Sequence, residues 1–593
     1  MSVSRHSVSL RTYALAFAVA LSPALTQTNE LTCTPPTGDT TLSMLELEVA
    51  GQNRIAFSSG QENYVVSISS DSAILRAQPT DPAARVSYQL SVDGHLIEEG
   101  QMGVGGGETT VGIPLGQAAL RIMVVHPGNA VGHYIIDNRF PTDFVAEGPV
   151  SVSGDSVFAQ CAADSGGGVF AADSEVESWI AVNPTDPNHL AVVWQQDRYL
   201  SGGGSRGHVV AISFDGGLSW AAVTIPGLTP CSGGAWDRTT DPWLAFAVNG
   251  DLYAAAMSWS YANIGGAIVV NRSTDGGLTW GNPVIVDEVT NPPLNDKESI
   301  TADPVDPCTL YVTWSQFPSD SMVPGDILFS RTADCGATWA APTIVQSTDP
   351  FSIGSQIVVL ADGQLLAFYR DAFSAGTSPI YVERSVDGGL TWPDDPVVIA
   401  DTNMPLVFSP DGALVRSSIF DVAMNRETEE LYVVWELSFG IALQVALSSS
   451  SDGGFTWSAP IRIDDTPANS PFTLEQAFIP SVEVSNDGTV GVTYYNFQND
   501  VAGALPSLSD YWFVSCHPKL ADCGDGGSWS AAVRLTPDSF DYALAPLVTG
   551  GSSGLFLGDY VGFTSSGSDF FALFSATTED DPANAIFVPI RAQ

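Results

Sequence analysis

The sequence predicts an all-β protein in two parts, and three observations predict it. Gly (56 residues) and Pro (38) are plentiful and aromatics reach 10% of the 593 residues, a composition of short strands joined by tight turns. Stretches rich in Ala, Glu, Lys and Leu with helical periodicity are missing. Finally, one turn-like segment recurs: "SFDGGLSW" at Ser213 to Trp220, "STDGGLTW" at Ser273 to Trp280, "TADCGATW" at Thr332 to Trp339, "SVDGGLTW" at Ser385 to Trp392 and "SDGGFTW" at Ser451 to Trp457. The length exceeds one ordinary domain, so more than one folding unit is expected.

Taken in order, Arg5 and Arg11 precede the apolar run "TYALAFAVALSPAL" (Thr12 to Leu25). Residues 1–26 therefore read as a secretory signal, cut between about Ala24 and Gln27. The run is shorter than the roughly twenty residues of a membrane span, so the expectation is a secreted, periplasmic or cell-surface protein without a span. "TPPTGDTT" then reads as a linker. Over residues 40–142, alternating runs such as "NYVVSIS", "RVSYQLSVDG" and "LRIMVVH" predict a small β-sandwich.

Residues 150–593 carry the repeats, spaced about sixty residues apart. An apolar strand ending in an aromatic precedes each turn, and a Pro or Ala with a short strand follows it ("APTIV", "APIRI"), so each unit holds about four strands. The aromatic strands end at Trp194, Trp259, Trp314, Tyr369, Trp435, Tyr495 and Phe574, seven in all. Four-stranded units bury both faces only against their neighbours, which predicts a β-propeller. The sixth unit keeps a shortened turn, "CGDGGSW" (Cys523 to Trp529). The last, "GDYVGF…FFALFSA…AIFVPI", shows three strands, and "DSVFAQC" (Asp155 to Cys161) is the expected donor of the fourth.

In S-x-D-x-G-x-x-W the carboxylate accepts backbone N–H groups of its own turn, the Gly takes a positive φ, and the Trp packs back over the hairpin. The pattern resembles the Asp-box, or bacterial neuraminidase repeat, of sialidases and their relatives. That resemblance implies that the boxes join the third and fourth strands of each blade on the face opposite the substrate. Asp215, Asp275, Asp334, Asp387 and Asp452 are then structural. The aromatic strands count seven blades; sialidases have six, which stands as the alternative. The first part, through "LSMLELEV", "YVVSI", "VDGHLIEEG" and "GHYIIDNRF", resembles the cadherin-like sandwiches of bacterial surface and secreted proteins, modules that act as spacers or adhesion elements.

The face opposite the boxes is built from the starts of first strands and the ends of second strands. The starts are "EVESW" (Glu177), "WDRTTDPW" (Arg238, Asp241), "NDKESI" (Lys297, Glu298), "VRSSIF" (Arg416), "LEQAFIP" (Glu475) and "GDYVGF" (Asp559, Tyr560); the ends are "WQQDRY" (Arg198), "FYRDAF" (Arg370, Asp371) and "WELS" (Glu436). A sialidase needs arginines gripping a carboxylate, a Tyr nucleophile beside a Glu, and an Asp general acid/base. The resemblance maps substrate binding onto Arg238, Arg370, Arg416 and Arg198, acid/base work onto Asp241, and the nucleophile pair onto Glu298 with Tyr495 or Tyr560. The Arg-Ile-Pro signature of sialidases is absent. The competing reading makes Arg370–Asp371 and Asp296–Lys297–Glu298 ion pairs between blades.

A net charge of −45 with only 21 Lys and Arg excludes a nucleic-acid partner, which needs a basic stripe. Seven cysteines suit an oxidising compartment: Cys308 can bridge to Cys335 and Cys516 to Cys523, the odd one being Cys33 or a member of Cys161/Cys231. Neither C-x-x-C nor H-E-x-x-H occurs, so no metal or other cofactor is expected. "GGSSG" (Gly550 to Gly554) and "GGGSRG" (Gly202 to Gly207) lack the following helix their motifs require and read as turns. Two classes of function follow: a glycan-directed hydrolase or lectin, with exo-sialidase the leading specific activity, or a non-catalytic adhesion or scaffold protein holding a protein or polysaccharide.

Overall fold

The fold was analysed in a computed structural model. It describes residues 42–593 except 50–51, 54–62, 67–71, 81, 93–94, 113–117, 126–130, 139–142, 163–167, 262, 291–292, 319–324, 347–351, 372–377, 394, 403–406, 416–418, 440–441, 468–473, 475, 502–504 and 550–553. The expected signal, Cys33, the expected linker, Arg416 and Glu475 lie outside these residues.

The chain is all-β; the helical turns among the described residues are three short 3-10 segments, and no described helix is long and apolar enough to cross a membrane. Near the N-terminus two sheets form a sandwich. One orders Gln52–Asn53, Leu42–Val49, Ser72–Pro79 and Gly107–Gly112; the other orders Asn63–Val66, Val131–Asn138, Ala118–Val125, Arg85–Val92 and His95–Val104. Leu45, Leu75, Val86, Leu90, Ile122 and Val124 are buried, as alternation along half-buried strands requires.

The remainder is a β-propeller. Six consecutive four-stranded meanders begin at Glu175, Arg238, Leu294, Ser352, Asp421 and Ala477. A seventh sheet comprises Gly562–Ser566, Asp569–Ala576 and Asn584–Ala592. We number these blades 1 to 7. The first strand of each blade packs against that of the next, and Gly562–Ser566 returns against Glu175–Asn183 to close the ring. Trp194, Trp259, Trp314, Tyr369, Trp435, Tyr495 and Phe574 all lie on second strands and are buried.

The fourth strand of blade 7 comes from upstream, but not from Asp155 to Cys161. Phe144–Ala146 and Val150–Ser151 pair antiparallel with Asn584–Ala592, Phe144 opposite Ala592 and Val150 opposite Phe587. Instead, the segment 155–161 tucks Phe158 into the core of blades 1 and 7 and ends in the disulfide Cys161–Cys231. Cys308–Cys335 and Cys516–Cys523 also form disulfides.

The repeated turns join third to fourth strands; the bonds to their carboxylates repeat atom for atom, and the Trp-to-Gly bond is made in the first, second and fifth. In the first, the Ser213 hydroxyl donates to Asp215 Oδ1 (2.8 Å), and the Ser219 amide (2.9 Å) and hydroxyl (2.5 Å) donate to the same carboxylate. The Gly217 amide donates to Ser213 Oγ (2.8 Å) and Trp220 Nε1 to Gly217 O (3.0 Å). Asp275, Asp334, Asp387 and Asp452 accept the same set. The fifth turn starts one residue earlier than the sequence reading placed it, because Ser450 supplies the hydroxyl. The Ser219 hydroxyl and amide pull Asp215 down to about 2, and Asp387 and Asp452 are lowered alike by Thr391 and Thr456.

Four of the five turns also reach the preceding blade. The carbonyl of the residue after the Asp accepts a hydrogen bond from it: Arg331 Nη1 to Gly388 O (2.9 Å), Arg384 Nη2 to Gly453 O, and Tyr253 Oη to Cys335 O (3.3 Å). His189 Nε2 sits 2.9 Å from Gly276 O in the same relation. A turn bonded both to itself and to its neighbour locks the ring at that end.

Candidate functional site

The opposite end of the blades carries a second repeated device, in the backbone. In blades 1, 2, 3, 4 and 6 the first strand bulges against the second, between Val176 and Trp179, Thr240 and Trp243, Asp296 and Ser299, Ile353 and Gln356, and Phe478 and Ser481. In each bulge one residue takes a left-handed conformation: Glu177 (φ 51°), Asp241 (53°), Lys297 (51°), Gly354 (70°) and Ile479 (48°). Bulges re-aim a side chain and are enriched beside active sites, and a left-handed non-Gly residue costs of order 1–3 kcal/mol that its surroundings must offset. For Glu177 and Ile479 a backbone partner is visible, since their amides donate to Leu557 O (3.2 Å) and to the buried Glu436 carboxylate (2.7 Å).

Three of these re-aimed side chains meet. Lys297 Nζ donates to Asp241 Oδ1 (2.6 Å) and Glu177 Oε1 (2.7 Å) and lies 2.9 Å from Asp559 Oδ2, which precedes the first strand of blade 7. Four blades thus supply one ammonium and three carboxylates, all but shut off from solvent; the Lys297 side chain is 11% exposed. Burial opposes the Lys297 charge, but Asp241, Asp559, Glu177 and Asp296 outweigh it and hold the ammonium well above its ordinary range. Burial in turn drives Glu177 up to about 7 against the pull of Lys297, and raises Asp241.

Beside this knot lies Glu298, 3% exposed, with neither carboxylate oxygen in a hydrogen bond. Burial first, and then the charge of Asp241, push its carboxyl well above the usual range. Burial thus shifts it toward its protonated form, next to carboxylates held by a cation. Such asymmetry between neighbouring carboxyl groups is what acid/base chemistry needs. Trp179 and Trp243 stack at 3.5 Å on the blade 1 and 2 side, and the Tyr560 ring stands 5.4 Å from Trp243.

Asp241, Glu298 and Tyr560, singled out in the sequence, therefore come together. The phenol of Tyr560 donates to Pro242 O (3.1 Å), and burial with four surrounding carboxylates raises it well above its ordinary range, the reverse of nucleophile activation. Tyr495 is elsewhere, buried in the core of blades 6 and 7, where its hydroxyl donates to Ser575 O (2.9 Å) and accepts from Ser575 N (3.0 Å). The arginines are each occupied by protein. Arg238 lies over the Tyr199 ring at 3.7 Å and donates to Ser201 O and Gly203 O, both at 2.6 Å. Arg370, fully buried, donates to Ile419 O (2.7 Å) and Ser378 Oγ (2.9 Å). Arg198 stacks on Phe556 at 4.6 Å and donates to Gln195 Oε1 (2.8 Å); its charge pulls the Glu177 carboxyl down. Lys297, Glu177 and Asp559 were visible in the sequence as charges at first-strand starts, but nothing in their spacing marked them as one group.

One further structure covers part of this face. Val407–Phe408 and Leu414–Val415, inserted before blade 5, join Leu547–Val548 and Gly554–Leu555, inserted before blade 7, in a small sheet. Thr549 N donates to Leu200 O (2.7 Å) and Phe408 N to Gln476 Oε1 (3.0 Å). Val407, Val415, Leu555 and Phe556 pack with Phe478 and Ile479. The blade 5 to 7 side of this face is thereby sealed with apolar side chains, and the charged knot stands on the other side. Among the described residues no group of His, Cys, Asp and Glu is arranged to hold a metal ion.

No family model matches the chain. Among curated proteins it is similar to the xyloglucanase Xgh74A of Acetivibrio thermocellus, 27% identical over 217 residues, which are 34% of this chain and 24% of that protein. The chain thus spans about a quarter of the length of that relative. Among solved structures it is similar to a protein of unknown function from Dyadobacter fermentans (14% identity, TM-score 0.41, 63% of this chain and 99% of that one). It is also similar to the Hadza microbial sialidase Hz136 (12%, 0.39, 93% and 94%) and to a Penicillium chrysogenum α-L-arabinanase complexed with arabinobiose (15%, 0.37, 62% and 97%). At these scores the likenesses carry no argument about chemistry.

Proposed function

We propose that the protein is a glycan-acting enzyme that hydrolyses a glycosidic bond at the Glu177–Asp241–Lys297–Glu298 site. The observation that carries the reading is Glu298, a buried carboxyl with no hydrogen-bond partner among the described residues, shifted by burial toward its protonated form beside carboxylates that share one ammonium. Glu298 donates its proton to the leaving glycosidic oxygen as its bond to the anomeric carbon breaks; water then adds to that carbon and returns a proton to Glu298. Asp241, bound to Lys297, is the carboxylate that faces the positive charge developing on the sugar.

The chemistry around the site favours a neutral sugar. Each described arginine of the sialidase-like set is engaged by protein acceptors, so no guanidinium cluster stands ready for a substrate carboxylate, and the phenol of Tyr560 is poorly placed to act as a phenolate. Xyloglucan, the substrate in the name of the sequence relative, is the first polymer to assay, followed by arabinan and then sialosides for the exo-sialidase reading. Reducing-end release should appear with wild-type protein, and Glu298→Gln should lower kcat by about 10²–10⁴ with Tm unchanged or raised. No turnover of any of these substrates between about pH 4 and pH 8 sinks the reading.

A second reading, a non-catalytic adhesion or scaffold protein, draws on the saturation of Lys297 by three carboxylates, which suits a structural plug. It predicts that Glu298→Gln changes stability alone.

A further inference from the structure

Independently of that reading, we propose that the opposite end of the propeller, between neighbouring Asp-box turns, carries a pair of related binding clefts for a neutral polysaccharide chain. The larger cleft, about 480 Å³, lies between blades 4 and 5, within the usual range of ligand pockets. Trp392 and Val386 of one turn and Phe455 of the next form its apolar surfaces, and Arg384, Thr391 and Asp395 stand around them. The second, about 400 Å³, lies between blades 2 and 3 and is lined by Trp280, Tyr253, Arg272, Thr279 and Asn282 with Ala337 of the next turn.

The two are the same site at two places in the ring. Trp392 and Trp280 close their turns, Thr391 and Thr279 precede them, and Arg384 and Arg272 each stand immediately before the turn's first serine. The far walls differ chiefly at one position, Phe455 beside Gly454 in the first cleft and Ala337 beside Gly336 in the second, where disulfide-bonded Cys335 also stands in place of Gly453. Arg384 lies over the Phe455 ring at 4.2 Å, so this ring is held although its residue is 61% exposed.

What such a cleft binds follows from its chemistry. Leu218, Leu278, Leu390 and Phe455, at one position of four turns, are all exposed, an unusual concentration of apolar surface on so acidic a chain. A charge of −45 repels polyanions. A neutral sugar ring is not repelled: its C–H face packs on aromatic and aliphatic surface while its hydroxyls find donors and acceptors in the arginine, threonine and Asp395 or Asn282. A repeating polymer can engage both clefts at once and gain avidity, which a small ligand cannot.

The test is retention in native gels containing soluble xyloglucan or hydroxyethylcellulose, against gels without polymer. Phe455→Ala installs the residue that the related cleft already carries, so folding should survive; it should weaken retention about three- to tenfold. Ala337→Phe should strengthen it. Retention that neither variant alters in either polymer overturns the proposal, as does a Phe455 effect seen only on association with another protein. Glu298→Gln separates the two claims: it should abolish hydrolysis and leave retention intact. Loss of hydrolysis in wild type with Phe455-dependent retention defeats only the enzymatic reading, whereas hydrolysis with Phe455-independent retention defeats only this one.

Discussion

Blades 1 to 4 carry a repeated device at each end, and the two devices have diverged in opposite ways. At one end, five turns keep the same side chains in the same hydrogen bonds, from Ser213–Asp215–Ser219 through to Ser450–Asp452–Thr456. At the other, five bulges keep the same backbone, each with one left-handed residue, but carry Glu177, Asp241, Lys297, Gly354 and Ile479 there. Repetition of side chains marks what every blade needs in order to close. Repetition of backbone with different side chains marks where the ring could be put to use without being rebuilt. The change from charged residues in blades 1 to 3 to Gly354 and Ile479 in blades 4 and 6 also explains why the knot is lopsided: Ile479 packs with the small covering sheet.

The sharpest way to break this comparison is Lys297→Met. It leaves Glu177, Asp241 and Asp559 buried without their cation, and should destabilise by about 3–5 kcal/mol in urea unfolding; a loss below about 1 kcal/mol would mean the knot is solvated and not a built site. Glu175, also at the mouth of blade 1, gives a pH signature. Burial, with Asp581 adding to it, raises its carboxyl to about 9. The folded state therefore keeps a proton that the unfolded chain releases near 4.5. Stability contributed by that proton is full below about pH 4.5 and declines by about 1.4 kcal/mol per pH unit as pH rises toward 9. Tm should fall across this window, and Glu175→Gln should flatten the slope; equal slopes in the two proteins would refute the assignment.

Smaller effects sharpen the distinction. Tyr560→Phe removes one hydrogen bond to Pro242 O, and should cost about 1 kcal/mol while sparing activity. A hundredfold loss of kcat at unchanged Tm would restore the phenol as nucleophile. Asp387→Ala should lower Tm by a few degrees and leave kcat and KM of the folded protein untouched. The same carboxylates, depressed to about 2 by their hydroxyl and amide donors, contribute stability above the unfolded value of 3.8 that is lost only as pH falls through about 2. If Asp387→Ala altered KM at full stability, the turn end would be the substrate end.

The parts of this structure that sequence could show are those whose chemistry is local. Ser, Asp, Gly and Trp at fixed offsets bond to one another, so the turns were readable, as were the apolar second strands ending in aromatics. Asp241 and Glu298 were found because charge at the start of an apolar strand is conspicuous. The closing strand was misplaced because Phe144–Ala146 and Val150–Ser151 are too short to show any alternation, whereas "DSVFAQC" shows some. The two-residue strands of the covering sheet failed to register for the same reason. The arginine arrangement was invisible since its determinants are carbonyls: Ser201, Gly203 and Ile419 engage Arg238 and Arg370 through backbone atoms that carry no sequence signature.

The way blade 7 is completed sets an order of events during synthesis. Phe144 leaves the ribosome long before Ala592, its partner, and Arg591 meets Glu147 across 444 residues of chain. Six blades can form on the growing chain while the seventh must wait, and until it is made the edges that will eventually meet stand open to any strand that passes. A nascent chain of this kind depends on how quickly the strand Asn584–Ala592 arrives. A ribosomal pause just before that strand would lengthen the exposure of those edges, and aggregation yield should follow the pause, though the folded molecule is unchanged.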